Sequence, residues 1–166
     1  MRYDGHTELL KAAPKRLRDA QELLEEPTRD RETSDAEYRH LCGAYYLAGY
    51  AVECALKAYI ITLLNTREST SVTRWSEAIV LMRASDTPID VSGARSHSLD
   101  RLLDAAQLEA QMTSDHEMKQ NWAICRKWDY NERYRPEPMV NRRDVTEFVE
   151  ACSASYKWVR NRLPFS

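Results

Sequence analysis

Between Gly43 and Ile61 the chain is apolar at almost every position, and Glu53 and Lys57 are the only charges. On a 3.6-residue period one stripe runs through Tyr45, Ala48, Val52, Ala55 and Tyr59, and a second through Leu47, Ala51, Cys54, Ala58 and Ile61. A helix that is apolar on most of its circumference belongs at the centre of a fold. A third line carries Tyr46, Tyr50, Glu53 and Lys57, stacking two phenols, a carboxylate and an ammonium along one edge. Burying that edge requires partners, and Arg133 and the two phenols are the expected ones for Glu53.

The rest of the pattern is helical as well. Pro14 suits a first helical turn, and Leu17, Ala20, Leu23 and Leu24 form the apolar face of a helix ending near Pro27, with a separate short turn or helix before Pro14. Thr28 to Thr33 reads as a charged connector. Ser34 and Glu37 then form a capping box for the central helix, which runs to about Asn65. Gly43 and Gly49 each cost roughly 1 kcal/mol of helix propensity relative to alanine, so they are expected where a neighbouring helix comes close.

Arg67 to Ser71 is a loop, followed by a short helix with Trp75, Ile79, Val80 and Met82. It stops before Asp86-Thr87-Pro88, and Pro88 to Ser96 is a second loop. His97 to Leu108 is helical, with Leu99, Leu102, Leu103 and Ala106 inward. Ser114 with Glu117 caps a helix through Trp128, with Met118, Trp122, Ile124 and Cys125 among its apolar positions. Pro136 and Pro138 interrupt the pattern, and Asp144 with Glu147 opens the last helix, whose apolar side holds Val145, Phe148, Val149, Cys152, Tyr156 and Val159. No strand signal or internal repeat occurs. The expected fold is all-α, most simply an antiparallel bundle of three long helices and two or three shorter ones.

Length and composition agree with a single domain over residues 1–166. With 166 residues, 43% of them hydrophobic, such a chain can bury roughly two-thirds of its unfolded surface. The formal charge of −2 is uneven: residues 119–166 carry a net +4 and the remainder −6. The C-terminal third is therefore the side suited to an anion. Cys42, Cys54, Cys125 and Cys152 form no Cys-x-x-Cys pair, which points to reduced, buried thiols in a cytoplasmic protein. Neither a signal region nor an uncharged span of about 18 apolar residues is present, so no membrane association is expected. His116-Glu117-Met118-Lys119-Gln120 departs from a zinc-protease helix at Gln120, where the second histidine ligand would stand, and no metal or cofactor is expected.

Three segments in order carry a resemblance: Ala-Val-Glu-Cys-Ala-Leu-Lys-Ala at 51–58, Ser-His-Ser-Leu-Asp-Arg-Leu-Leu at 96–103, and Arg-Tyr-Arg-Pro at 133–136 before a final amphipathic helix. Together they resemble the HEPN domain family over most of the chain, from about Pro14 to Arg162. The resemblance implies an antiparallel bundle of four to five helices that forms homodimers. Members of that family are metal-independent endoribonucleases, partners of small nucleotidyltransferases in toxin-antitoxin pairs, or non-catalytic modules that bind RNA or nucleotides.

In one respect the chain departs from the ribonuclease members, which carry an arginine and a histidine with four to six residues between them. Here Arg2 precedes His6 by three intervening residues, Arg39 adjoins His40, Arg95 precedes His97 by one, and the arginine nearest before His116 is Arg101. No histidine follows Arg160 or Arg162. Metal-free RNA cleavage uses the 2′-hydroxyl as nucleophile and benefits from a near-neutral base and from cations on the phosphate. Without general acid-base help, turnover falls by roughly 100-fold or more while phosphate binding survives.

His97 is the candidate catalytic residue, as a substitute base or a phosphate contact; its simpler role is to fix a loop-to-helix junction by hydrogen bonding. His6, His40 and His116 read as surface residues. Arg133, Tyr134, Arg135, Arg160 and Arg162 are the candidate binding residues, with Glu53, Lys57, Tyr46 and Tyr50 as a supporting polar network. Three functions follow: a dimeric binding module for RNA, a nucleotide or a nucleotidyltransferase-type protein, which is favoured; a ribonuclease toxin with a non-standard site; or a purely structural helical adaptor.

Overall fold

The computed structural model describes residues 4–25, 34–68, 71–84, 90–131 and 141–163. These residues form α1 (His6–Glu25), α2 (Ser34–Glu68), α3 (Trp75–Ala84), α4 (Leu99–Ala105), α5 (Glu109–Ser114), α6 (His116–Cys125) and α7 (Arg142–Arg160), with a 3-10 turn over Gly93–His97. The protein is all-α among the described residues; its sole β feature there is an isolated bridge between Gly5 and Arg74.

α2 is the axis on which α1, α3, α4 and α7 pack. Its core positions, including Ala48, Val52, Leu56 and Ile61, are shut off from water. By length and composition the stretch Arg39–Arg67 could cross a membrane, but 67% of its most apolar window lies buried inside the protein. Its apolarity is that of a core helix. α1 runs antiparallel to α2, since His6 meets Thr62 at 2.9 Å while Leu23 faces Gly43. α6 is likewise antiparallel to α7: Asp115 reaches Trp158, and Cys125 reaches Cys152. α7 instead enters at the end where α2 begins, with Tyr45 stacked on Phe148 at 4.0 Å and Arg142 donating to the Leu24 carbonyl at the end of α1.

Several helix boundaries differ from those expected. Pro14 lies inside α1, which begins at His6. The ring removes one hydrogen bond, the one to the Leu10 carbonyl, on a side where Leu10 is exposed. Leu9, Ala13, Leu17 and Ala20 keep one buried stripe through the proline, and burial of the first two helps offset the loss. α2 continues to Glu68, three residues past Asn65. Its expected Ser34–Glu37 box falls on side chains outside those described, as does the Thr28–Thr33 connector. On α3, Trp75 and Met82 are buried while Val80 is exposed.

In place of one helix from His97, the 3-10 turn ends at His97 and Ser98 caps α4. Gln107, at a left-handed φ of 57°, then separates α4 from α5. Asp115, not Ser114, opens α6: one of its oxygens accepts from the Met118 N–H at 3.0 Å and the other from Trp158 Nε1 at 3.2 Å. A carboxylate that caps its own helix and anchors the next one outcompetes the neighbouring hydroxyl, which donates back to Gln111. α6 ends at Cys125, short of Trp128. At α7 the cap is Asn141; it accepts from the Asp144 N–H at 2.9 Å and its amide donates to the Asp144 carboxylate at 2.8 Å. The reciprocal pairing expected from Asp144 therefore lies one turn earlier.

The two glycines of α2 do different work. A Cβ at Gly49 would stand 2.2 Å from Cδ1 of Trp128, a buried indole with no room to retreat, whereas at Gly43 it would meet the tip of Leu23 at 3.0 Å. Gly49→Ala is expected to destabilise by about 1 to 3 kcal/mol through overpacking. Gly43→Ala should lie within about 1 kcal/mol of the parent, because regained helix propensity offsets a small shift of a flexible side chain. Urea denaturation of the two variants measures the difference.

Candidate functional site

Halfway along α2, Glu53 is 1% exposed and Lys57, one turn further on, is 6% exposed. The Lys57 ammonium donates to Glu53 Oε1 at 2.5 Å, and the Trp75 ring of α3 lies 5.1 Å from it. A cation so placed gains from the indole face as well as from the carboxylate.

The second partner of Glu53 comes from a distant part of the chain. His97 Nδ1 lies 3.0 Å from Oε2 and 3.1 Å from Oε1. That contact places the proton on Nδ1 and leaves Nε2 as the outward nitrogen. The His97 side chain is 35% exposed, and none of the described residues hydrogen-bonds Nε2. Tyr130 stacks on the imidazole with ring centroids 4.6 Å apart.

Local sequence explains how His97 is delivered. Gly93 takes a φ of 55°, a left-handed conformation that glycine adopts without strain, and so opens the 3-10 turn. The Ser96 hydroxyl donates to the Gly93 carbonyl at 2.7 Å. Asp90 braces the turn through the Ser92 hydroxyl and N–H and through Arg95. Those donors, Ser92 foremost, hold its carboxyl down at about 2. Ser98 follows immediately as the cap of α4, so His97 occupies a junction fixed on both sides.

Beside this cluster the ionisable groups are held neutral. Burial, reinforced by the charge of Glu53, pushes the Cys54 thiol up to about 12. Burial likewise raises the Tyr50 phenol, whose hydroxyl is hydrogen-bonded to Cys54. Cys54 is thus no nucleophile, and Tyr50, expected to serve Glu53, is engaged one turn along. Tyr46 stacks with Tyr50 at 6.0 Å and meets Trp128 at 6.1 Å.

The remaining expected site residues are spread more widely. Arg133, Tyr134 and Arg135 lie outside the described residues. Arg160 is exposed in the last turn of α7. The Arg162 guanidinium sits 3.5 Å over the Trp158 ring, donates to Gln111 at 3.1 Å and returns to the Trp158 carbonyl at 3.0 Å. It braces the end of α7, and no described contact joins either arginine to His97. His6 is a correction to the surface reading: it is half-buried against Thr62, and burial lowers its pKa. His40 is also half-buried, while His116 is exposed.

Tyr130 and Trp75 are the members of the site that sequence reasoning missed. Both are single aromatics far along the chain from Glu53, with no spacing signal connecting them to it. Among the described residues no cluster of three or more His, Cys, Asp or Glu is arranged to hold a metal ion. The described site offers one oriented imidazole with a free edge and an aromatic neighbour. Such a group can accept a hydrogen bond or a proton, or donate to a phosphate oxygen once protonated. No protein-family profile, curated protein or solved structure matches this chain.

A buried pair broken on one side is costly, so Glu53→Gln and Lys57→Met should each destabilise the fold by about 3 to 5 kcal/mol. The double variant should lose clearly less than the sum of the two. Equilibrium denaturation of all four proteins supplies the cycle, and additive losses would show that the two groups are not coupled.

Proposed function

We propose that this chain is a HEPN-like helical module that acts as a cytoplasmic homodimer and binds RNA or a nucleotide without turning it over. The observation that carries the reading is the Glu53–His97 contact. Two of the three segments on which the family resemblance rests, 51–58 and 96–103, meet there although 44 residues separate the contacting side chains. His97 presents Nε2 beside the Tyr130 ring, a combination suited to a phosphate oxygen and a base face. The basic C-terminal third, with Arg133, Arg135 and Arg160, supplies the electrostatic attraction. A nucleotidyltransferase-type protein is the partner implied by the resemblance.

The absence of the family's arginine-histidine spacing weighs against turnover. A specific observation favours a second reading, metal-independent ribonuclease activity. A carboxylate on Nδ1 is the arrangement that orients an imidazole as a general base and stabilises its protonated form.

Both readings are tested together by fluorescence anisotropy and gel analysis of a labelled single-stranded RNA with EDTA present. Under the binding reading the parent binds without cleaving. His97→Ala then weakens binding about tenfold, near 1.4 kcal/mol, and Arg133→Ala/Arg135→Ala lowers both affinity and its salt dependence. Failure of the folded parent to bind RNA or nucleotides overturns the binding reading. Cleavage by the parent that drops at least about 100-fold in His97→Ala selects the ribonuclease, whereas full cleavage by that variant removes His97 from the chemistry.

A further inference from the structure

Away from His97, where α6 and α7 pack, Cys125 and Cys152 are both fully buried. Their sulfurs are 3.6 Å apart, in hydrogen-bond contact, and the Ser155 hydroxyl lies 3.2 Å from Cys125 Sγ. All four cysteines are free, and no described contact links Cys42 or Cys54 to this pair. Ordinary apolar packing does not call for two thiols and a hydroxyl facing one another across a helix interface. We propose that Cys125 and Cys152 are a redox pair that closes to a disulfide joining α6 to α7 when a peroxide or a small disulfide reaches it.

Cys125 is the attacking sulfur. Hydrogen bonding with Cys152 and with Ser155 lowers its pKa, while burial and the neighbouring sulfur raise that of Cys152. With hydrogen peroxide the Cys125 thiolate takes one peroxide oxygen, the O–O bond breaks, and hydroxide leaves to collect the thiol proton as water. Cys152 then attacks the Cys125 sulfenic sulfur. The S–O bond breaks, the S–S bond forms, and the departing hydroxide carries off the Cys152 proton. Two thiols are oxidised and one peroxide is reduced to two waters. A small disulfide oxidises the pair by two exchange steps and leaves as two thiols.

Burial makes the reaction depend on local opening of the α6–α7 interface. Closing the bond brings the sulfurs from 3.6 Å to about 2.05 Å. The segment thereby fixed continues directly from α6 to Trp128 and Tyr130, so oxidation pins the chain that lies against His97.

The test is titration of the folded full-length protein with hydrogen peroxide, followed by intact-mass measurement and peptide mapping without reductant. The expected product is an intramolecular species lighter by two hydrogens. Its cross-linked peptide spans Cys125 and Cys152, dithiothreitol reverses it, and its Tm is higher by roughly 5 to 10 °C. Cys152→Ser abolishes the product and Cys54→Ser leaves it intact. Mapping of the parent decides the matter even if Cys152→Ser folds poorly. Retention of all four thiols at peroxide concentrations that cross-link the urea-unfolded chain overturns the proposal, and so does a bond to Cys42 or Cys54 or between chains.

Discussion

The arrangement around α2 depends on one carboxylate kept from water. An ionised side chain in that position costs several kcal/mol unless opposite charge and hydrogen-bond donors reach it. One donor is local, Lys57 a single turn along the same helix. The other must be brought in, and the Gly93–His97 turn does so by placing an imidazole on both carboxylate oxygens. Meeting these needs recruits two further elements. α4 begins just after His97, and α3 contributes the indole over Lys57. A polar requirement in the middle of an apolar helix thus selects which face each short helix turns toward it.

The same requirement separates the two ends of the imidazole. Nδ1 is committed to structure, which leaves Nε2 as the part of His97 that can meet a ligand. The direction in which that nitrogen points is set by Glu53, itself held by Lys57, although neither touches solvent appreciably. By contrast, the arginines near the end of the chain follow a different logic. Arg162 is consumed by Trp158 and Gln111, so cationic character read from sequence does not translate directly into cations available to a ligand.

Much of the helical fold was legible because apolar periodicity registers burial. The inward faces of α4 and α7 lie where the pattern put them, and so does the immersion of α2. Helix starts were less legible, since neighbouring residues can both cap and the choice is made across the fold. Asp115 displaces Ser114 through its bond to Trp158, and Asn141 precedes Asp144 with a donor and an acceptor of its own. Pro14 misled for a related reason: a local rule about the missing N–H was overridden by a buried stripe on either side of it. The line Tyr46, Tyr50, Glu53 and Lys57 and the singular status of His97 were each visible in the sequence. Their connection was not, because periodicity describes one helix at a time and carries no information about which loop folds back over it.

Pro14 also bears on how the molecule comes apart. The turns of α1 before it have lost a rung of the helical ladder and are fastened sideways instead. The His6 N–H donates to the Thr73 carbonyl, the Trp75 N–H donates to the Asp4 carbonyl, and the His6 ring meets Thr62. The opening residues of the chain and the entry to α3 therefore form a clasp, which releases both strands of backbone together. Because Trp75 belongs to that clasp and also covers Lys57, loosening it would uncover one side of the buried ammonium.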